Sequence, residues 1–523
     1  MISSLSHLTR LTRAGYVFAR EGVFGLIDTQ SMPLPARVAI AVARLIERPT
    51  KKEGSGRLAA ALTKLGPTYV KLGQFMATRP DVVGQQTARN LESLQDRMAA
   101  FPQAQAEAVV TAAFNRPLTE AYLSFGPAVA AASIAQVHKA EIDVDGAPTA
   151  VAVKILRPGI ARRFNADLES FFFAARTAEA LSTEAQRLRP VEAVATLARS
   201  MAIEMDFRLE AAAASEMAEN TKDDPGFRVP KVNWDRTARE VLTLEWIDGI
   251  PLNDRAALEA RGFDLPALGR NVIQSFLRHA LRDGFFHADM HPGNLFVDAN
   301  GDLVAVDFGI MGRLGPKERR FLAEILFGFI TRDYHRVAQV HFDAGYVPRQ
   351  HSVADFAQAI RAIGEPIHNR TAEDISMAKL LTLLFEVTGL FDMRTRPELI
   401  LLQKTMVVVE GVARSFDAKL DMWKTADPVV REWIVRHLGP AGKLEGAVEG
   451  AGELGRFLGQ VPSLLNRAGT LLDQVDEMTR NGLVLSPETV AAIGKAEARR
   501  NRWTAAALWM IVVLLGAIIW MIV

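Results

Sequence analysis

Residues 287–309 read HADMHPGNLFVDANGDLVAVDFG, and three polar side chains in this stretch decide what the chain can be. Moving a phosphoryl group from ATP requires a carboxylate that orients the attacking oxygen. It also requires an amide oxygen and a second carboxylate that hold magnesium on the phosphates. Asp289, Asn294 and Asp307 supply that set, in order. Between Asn294 and Asp307, two short apolar runs flank Asn300-Gly301, a dipeptide suited to the positive φ angles of a tight hairpin. The hairpin returns Asp307 to the neighbourhood of the other two.

Asp289 and Asn294 stand five residues apart, the offset of a protein-kinase catalytic loop, and Asp307 opens a DFG. Upstream, TAVAVKIL alternates as a strand, with Val151, Val153 and Ile155 on one face and Lys154 on the other. Its VAVK matches the strand lysine that clamps the α- and β-phosphates. VLTLEWIDG, from Val241, reads as a second strand joining two lobes. By position, backbone groups around Glu245 to Ile247 then face an adenine. A rival reading takes His287, Asp289 and His291 as zinc ligands, but Asn294 and DFG at kinase spacing outweigh it. GAGELG at 450–455 fits G-x-G-x-x-G, yet it follows no strand and opens no βαβ unit, so it reads as a linker.

At 523 residues and 49% hydrophobic content, the chain has material for two or three domains. Its 61 basic and 60 acidic residues nearly cancel, giving no sign of a nucleic-acid partner. The absence of cysteine excludes disulfides and thiolate sites. From Trp503 to Val523 the sequence runs 21 residues without a charge. At about 1.5 Å per residue, this spans the roughly 30 Å hydrocarbon core of a bilayer. Arg499, Arg500 and Arg502 precede it, so the positive-inside rule leaves the rest of the chain cytoplasmic. The N-terminal stretch carries Arg10, Arg13 and Arg20 with no acid and no continuous apolar core. It reads as either an amphipathic surface helix or a transit segment, not a secretory signal.

KLGQ at 71–74, AAAS at 130–133, VAVK, EMD at 204–206, HADMHPGN and DFG together resemble the UbiB family of atypical, protein-kinase-like proteins, over roughly residues 10–430. The resemblance implies an α+β, bilobal kinase-like fold with a helical N-terminal extension and a C-terminal transmembrane helix. The expected segments are 1–125 for the extension, 126–250 and 251–437 for the lobes, 438–502 for a helical linker and 503–523 for the anchor. It implies ATP or ADP and Mg2+ as cofactors and a role in ubiquinone (coenzyme Q) biosynthesis at the inner, cytoplasmic membrane. Membrane lipids, polyprenyl-phenol precursors and coenzyme Q biosynthetic proteins are the partners it brings. Asp289 is then the catalytic carboxylate, Asn294 and Asp307 the magnesium ligands, and Ala132, Ser133, Lys154, Glu210, Glu245 and Ile247 the ATP-binding set. Glu210 is the partner implied for Lys154. Lys71, Gln74, Glu204 and Asp206 form a regulatory lid.

Departures from an ordinary kinase matter as much. Where such an enzyme has a glycine-rich loop, this chain has PAVAAASIAQVHKA, and alanine resists the positive φ that glycine permits. The loop is therefore expected to be stiffer, with Ser133 and Gln136 as its polar contacts. In the family such a loop goes with altered nucleotide preference and restrained kinase activity. Ala288 replaces the arginine of HRD, and no Ser, Thr or Tyr lies between DFG and Thr331, so there is nothing to phosphorylate. On one continuous helix, Glu204 and Glu210 lie about 120° apart while Asp206 and Glu210 stack. The bland alternative is an i,i+4 pair between Glu204 and Arg208. Gly66 caps a helix that begins at Pro67 and ends at Pro80, with Lys71 and Gln74 on one stripe and Tyr69, Leu72, Phe75 and Met76 on the next. Gly73 lies on neither and implies close approach of another backbone. Two rival functions remain: a nucleotide-sensing pseudokinase scaffold, and the polyprenylphenol hydroxylase of a family label. The latter is disfavoured because neither a flavin fingerprint nor an iron site is visible.

Overall fold

The computed structural model describes residues 2–26, 34–48, 54–77, 99–181, 189–366, 389–393 and 397–439, together with 87, 91, 186 and 387. Among the described residues no helix is long and apolar enough to cross a membrane. The expected anchor, most of the 438–502 linker and GAGELG lie outside them.

A four-stranded antiparallel sheet carries the phosphate-clamp lysine. Its strands are β1 (Ser124–Ala131), β2 (Ala135–Val144), β3 (Ala147–Leu156) and, after β4 (Phe227–Arg228), β5 (Val241–Glu245), in the order β1-β2-β3-β5. The β2–β3 turn is Asp145-Gly146, both residues in the left-handed region, with φ of 53° and 82°. Mirror-image turns of this kind match the strand twist. Val151, Val153 and Ile155 are buried and pack against Ala106 and Val110 of the helix Gln103–Phe114. The opposite face is thereby left to Lys154.

The second half combines β4 with β6 (Ile250–Pro251), β8 (Leu295–Val297) and β9 (Leu303–Ala305), in the order β4-β9-β8-β6. β7 (Phe285–His287) pairs separately with β10 (Met311–Arg313). The β8–β9 connection is wider than the expected two-residue hairpin. Leu303 pairs with Val297, only Gly301 takes a positive φ (88°), and its N–H donates to Asp298 O. The Asp298 carboxylate accepts from the Asn300 and Asp302 amides, which stabilises the longer turn. Helices fill the rest. Leu265–Arg278 begins on the Asp264 cap and buries Leu268, Val272 and Phe276. It lies so close to Pro397–Phe416 that a Cβ at Gly269 would meet the Ala413 carbonyl at 3.0 Å.

The N-terminal region is helical. Ile2–Arg20 and Pro67–Ala77 dock on the long helix Ile160–Leu181, and Gly54–Leu65 packs against both of them. Gly66, at φ 108°, makes the corner before Pro67, and Arg163 covers it while donating to Leu65 O at 3.0 Å. The Asp167 carboxylate is the fastening. Arg10 reaches it at 2.7 Å from one helix and the Thr68 hydroxyl at 2.7 Å from another, with Tyr69 edge-on to Phe171. Burial and the Asp167 charge push the Tyr69 phenol up to about 12. Replacing Thr68 with valine leaves a buried carboxylate oxygen without its donor. Thr68→Val should therefore cost about 1–3 kcal/mol, read as a lowered melting temperature of the purified full chain.

Candidate active site

Lys154 is placed by β3 and reached from two directions. Its Nζ lies 2.8 Å from Glu210 Oε1 and 2.8 Å from Asp307 Oδ1. Glu210 is buried on the helix Phe207–Asn220, whereas the Asp307 side chain is half exposed. Asp307 itself sits at φ 62°, a costly conformation for a residue with a side chain. Phe308 is fully buried beneath it against His287, so the DFG segment holds its aspartate toward the lysine.

One cation is shared by two acids, and the electrostatics follow. Burial pushes the Glu210 carboxyl up to about 7; the Lys154 charge opposes this and Asp307 adds to it. Desolvation would raise Asp307 as well, but Lys154 and, further off, Lys71 outweigh it and hold Asp307 well below the usual carboxylate range. Burial alone would lower Lys154. The two carboxylates reverse that and keep it above its ordinary value.

The catalytic loop is fixed by backbone. His287 is buried, its Nε2 bonds to Val306 O at 3.0 Å, and its Nδ1 accepts the Asp289 N–H at 3.1 Å. Burial lowers its pKa, so the ring stays neutral. With both nitrogens engaged, His287 is no zinc ligand. Asn294 Nδ2 donates to Asp289 O at 3.1 Å, which leaves the amide oxygen available to a cation, and the Asn294 carbonyl accepts the Val306 N–H just before Asp307. One amide oxygen and one partly exposed carboxylate are the hard donors that magnesium takes alongside phosphate oxygens. The residues present fit that ion.

Several predicted contacts are rearranged. Ser133 is fully buried, and among the described residues its Oγ has no hydrogen-bond partner. The Ala132 N–H bonds to Ala135 O, and its carbonyl accepts from Arg157 at 3.0 Å. Neither residue thus presents a donor to a phosphate. Gln136 is buried too, bonded to the Phe101 amide and to His138 rather than facing the site. The Glu245 N–H is taken by Lys231 O, and its side chain braces Arg228, which also binds Asp298. The Trp246 N–H is taken by Ala150 O, so Ile247 carries the next backbone amide along this segment.

The acidic motif is not one helix. Pro190–Glu204 ends there, Met205 follows, and Asp206 adopts an extended conformation as the N-cap of Phe207–Asn220. Its carboxylate accepts from the Arg208 amide and guanidinium, so Arg208 pairs with Asp206 and the i,i+4 pair with Glu204 is absent. Glu204 is instead 2.7 Å from Lys71, with both side chains largely enclosed. Gln74 lies one turn on, half-buried, and Gly73 is buried. The apolar side of this helix, Tyr69, Leu72 and Phe75, packs with Ile134, Met201, Phe207 and Leu242.

Three positioning contacts have no local sequence signal. Arg157 ties the alanine-rich loop to Ala99 O. The buried Thr405 hydroxyl lies 2.9 Å from Ala288 O, next to Asp289, although it is 117 residues away in the chain. Arg313 grips Glu216 through two nitrogens at 2.8 and 2.5 Å and lies 4.3 Å from the Phe285 ring centre. It joins the segment after DFG to the helix that carries Glu210.

Comparison with known proteins agrees with this geometry. Residues 93–341 match the ABC1 atypical kinase-like domain, and residues 360–421 match the UbiB helical domain. The chain is similar to "Probable protein kinase UbiB" of Marinobacter nauticus, 39% identical over 84% of this chain and 81% of that one. The Azotobacter vinelandii protein of the same name is 37% identical over 82% and 79%. The Pseudomonas fluorescens one is 35% identical over 90% and 87%. Among solved structures, the Rv3197–erythromycin complex from Mycobacterium tuberculosis shares the fold at 24% identity, with a TM-score of 0.50 over 76% of this chain and 98% of that one. The chain belongs to the UbiB family of atypical kinase-like proteins.

Proposed function

We propose that this protein binds ATP with magnesium and cleaves or transfers its γ-phosphoryl group on the cytoplasmic face of the inner membrane, in support of ubiquinone biosynthesis. The observation that carries it is the convergence of Lys154, Glu210 and Asp307, with the Asp289–Asn294 loop fixed by His287. When bound, magnesium would neutralise phosphate charge from Asn294 and Asp307. Lys154 holds the α- and β-phosphates, steadied by Glu210. Asp289, on a loop fixed by the neutral His287, orients the attacking oxygen and takes its proton. Membrane lipids, polyprenyl-phenol precursors and coenzyme Q biosynthetic proteins are the partners in this reading.

Asp307→Asn should abolish ATP turnover and weaken magnesium-dependent nucleotide binding. Asp289→Asn should lower turnover by about 10²–10⁴-fold while ATP binding persists. If a strain lacking the gene regains ubiquinone with Asp289→Asn, the second reading, a nucleotide-sensing scaffold, takes its place. The enclosed Lys71–Glu204 pair supports that alternative: it fixes the Pro67–Ala77 helix to the end of Pro190–Glu204, and a helix acting there as the lid the family resemblance implies would bar a protein substrate. Lys71→Ala is expected to raise ATP turnover or autophosphorylation, measured with the radiolabelled nucleotide; no change in either would make the helix purely structural.

The pH dependence has a definite sign. Glu210 titrates near 7 and must be ionised to steady Lys154. As pH falls through that value, Glu210 takes up a proton and the pair weakens. ATP turnover should thus fall roughly tenfold between about pH 8 and pH 6, and Glu210→Gln should flatten that limb in a pH–rate profile at the lower level.

A further inference from the structure

The chain as a whole carries a formal net charge of +1, yet Ile2–Arg20 and Leu34–Arg44 hold five arginines and no acid. The second of these helices is turned inside out. Val38 is 55% exposed, Val42 is 51% exposed, and Leu45, one residue past its end, is 82% exposed. With Ala41, these residues follow the i, i+3, i+4, i+7 spacing of a single helical face. Arg37 and Arg44 are exposed about 100° around the helix from that face, and Arg44 also donates to Phe24 O at 3.0 Å.

We infer that the helix Leu34–Arg44 is a docking surface for an anionic lipid bilayer, its apolar face entering the headgroup boundary and its arginines meeting lipid phosphates. A nucleic acid or an acidic protein loop would satisfy the arginines but leave the Val38–Leu45 face in water. A neutral apolar partner would leave the arginines unmatched. Only a surface that is oily inside and anionic at its edge answers both, with long cationic side chains reaching outward from an apolar seat. The inference rests on the membrane location proposed above and deepens it. This surface belongs to the helical group that includes the lid: Ile2–Arg20 packs on Gly54–Leu65, which turns at Gly66 into the Lys71 helix.

The natural absence of cysteine allows a direct test. The full chain carrying Leu45→Cys, labelled with an environment-sensitive fluorophore, is reconstituted into phosphatidylcholine vesicles with or without phosphatidylglycerol and with spin-labelled lipid quenchers. Quenching at a depth of about 5–10 Å is expected in the anionic vesicles and is expected to be lost in Arg37→Glu/Arg44→Glu. Val38→Ser/Val42→Ser, which changes only exposed side chains, should reduce it as well. A label at Asp143→Cys, exposed near the end of β2, should remain unquenched. No quenching at position 45, or equal quenching at 143, overturns the proposal. Flotation of the same protein on neutral vesicles reads the C-terminal anchor separately, so failure of the anchor and failure of this surface give different results.

Discussion

Lys154 is held by two carboxylates of opposite character, and the rest of the kinase-like structure depends on that sharing. Glu210 is buried and reluctant to ionise, whereas Asp307 is half exposed and strongly ionised. A buried cation with one partner is a stable but inert pair. With two, one of them open to solvent, Lys154 keeps a charged partner even if the other is drawn away. The sheet, the Glu210 helix and the DFG segment are arranged so that each carboxylate lies 2.8 Å from the Lys154 nitrogen.

The elements that distinguish this chain from an ordinary kinase are each tied down by polar contacts. Arg157 ties down the alanine-rich loop, whose serine is buried instead of displayed. Lys71 bonds Glu204 at the break between two helices, and Asp206 works as a cap instead of a second acid in the cleft. Asp167 then fastens the Lys71 helix to the N-terminal helix. Breaking the Thr68–Asp167 or the Lys71–Glu204 contact would leave an enclosed carboxylate without its partner.

The motifs legible in the sequence were those where chemistry is local. Asp289, Asn294 and Asp307 lie within 19 residues, and strand alternation put Lys154 opposite the buried face of β3. The family resemblance implies only that Lys71 and Gln74 lie near the acids at 204–206; nothing in their separate surroundings pairs Lys71 with Glu204. Structure and sequence pattern part where backbone competition decides. Helical spacing through residues 204–210 gives way to a break, because an aspartate that can cap the next helix favours one. Asn300-Gly301 read as a two-residue turn, but Asp298 offers its carboxylate to two amides and stabilises a longer one. Ser133 read as a phosphate contact, but the loop is turned inward by an arginine that no local pattern flags. Thr405 and Arg313 act across the fold and leave no mark on neighbouring sequence.

The two-nitrogen grip of Arg313 on Glu216 has a consequence of another kind. In enzymes switched by phosphorylation, the link between the segment after DFG and the glutamate helix is written and erased by other enzymes. Here it is encoded in two ordinary side chains, and between DFG and Thr331 no hydroxyl is available for modification. Both side chains reach solvent, so the link is open to screening by dissolved ions over a Debye length of about 8–10 Å. The molecule makes this link without a covalent mark, and the link weakens as the ionic strength of its surroundings rises.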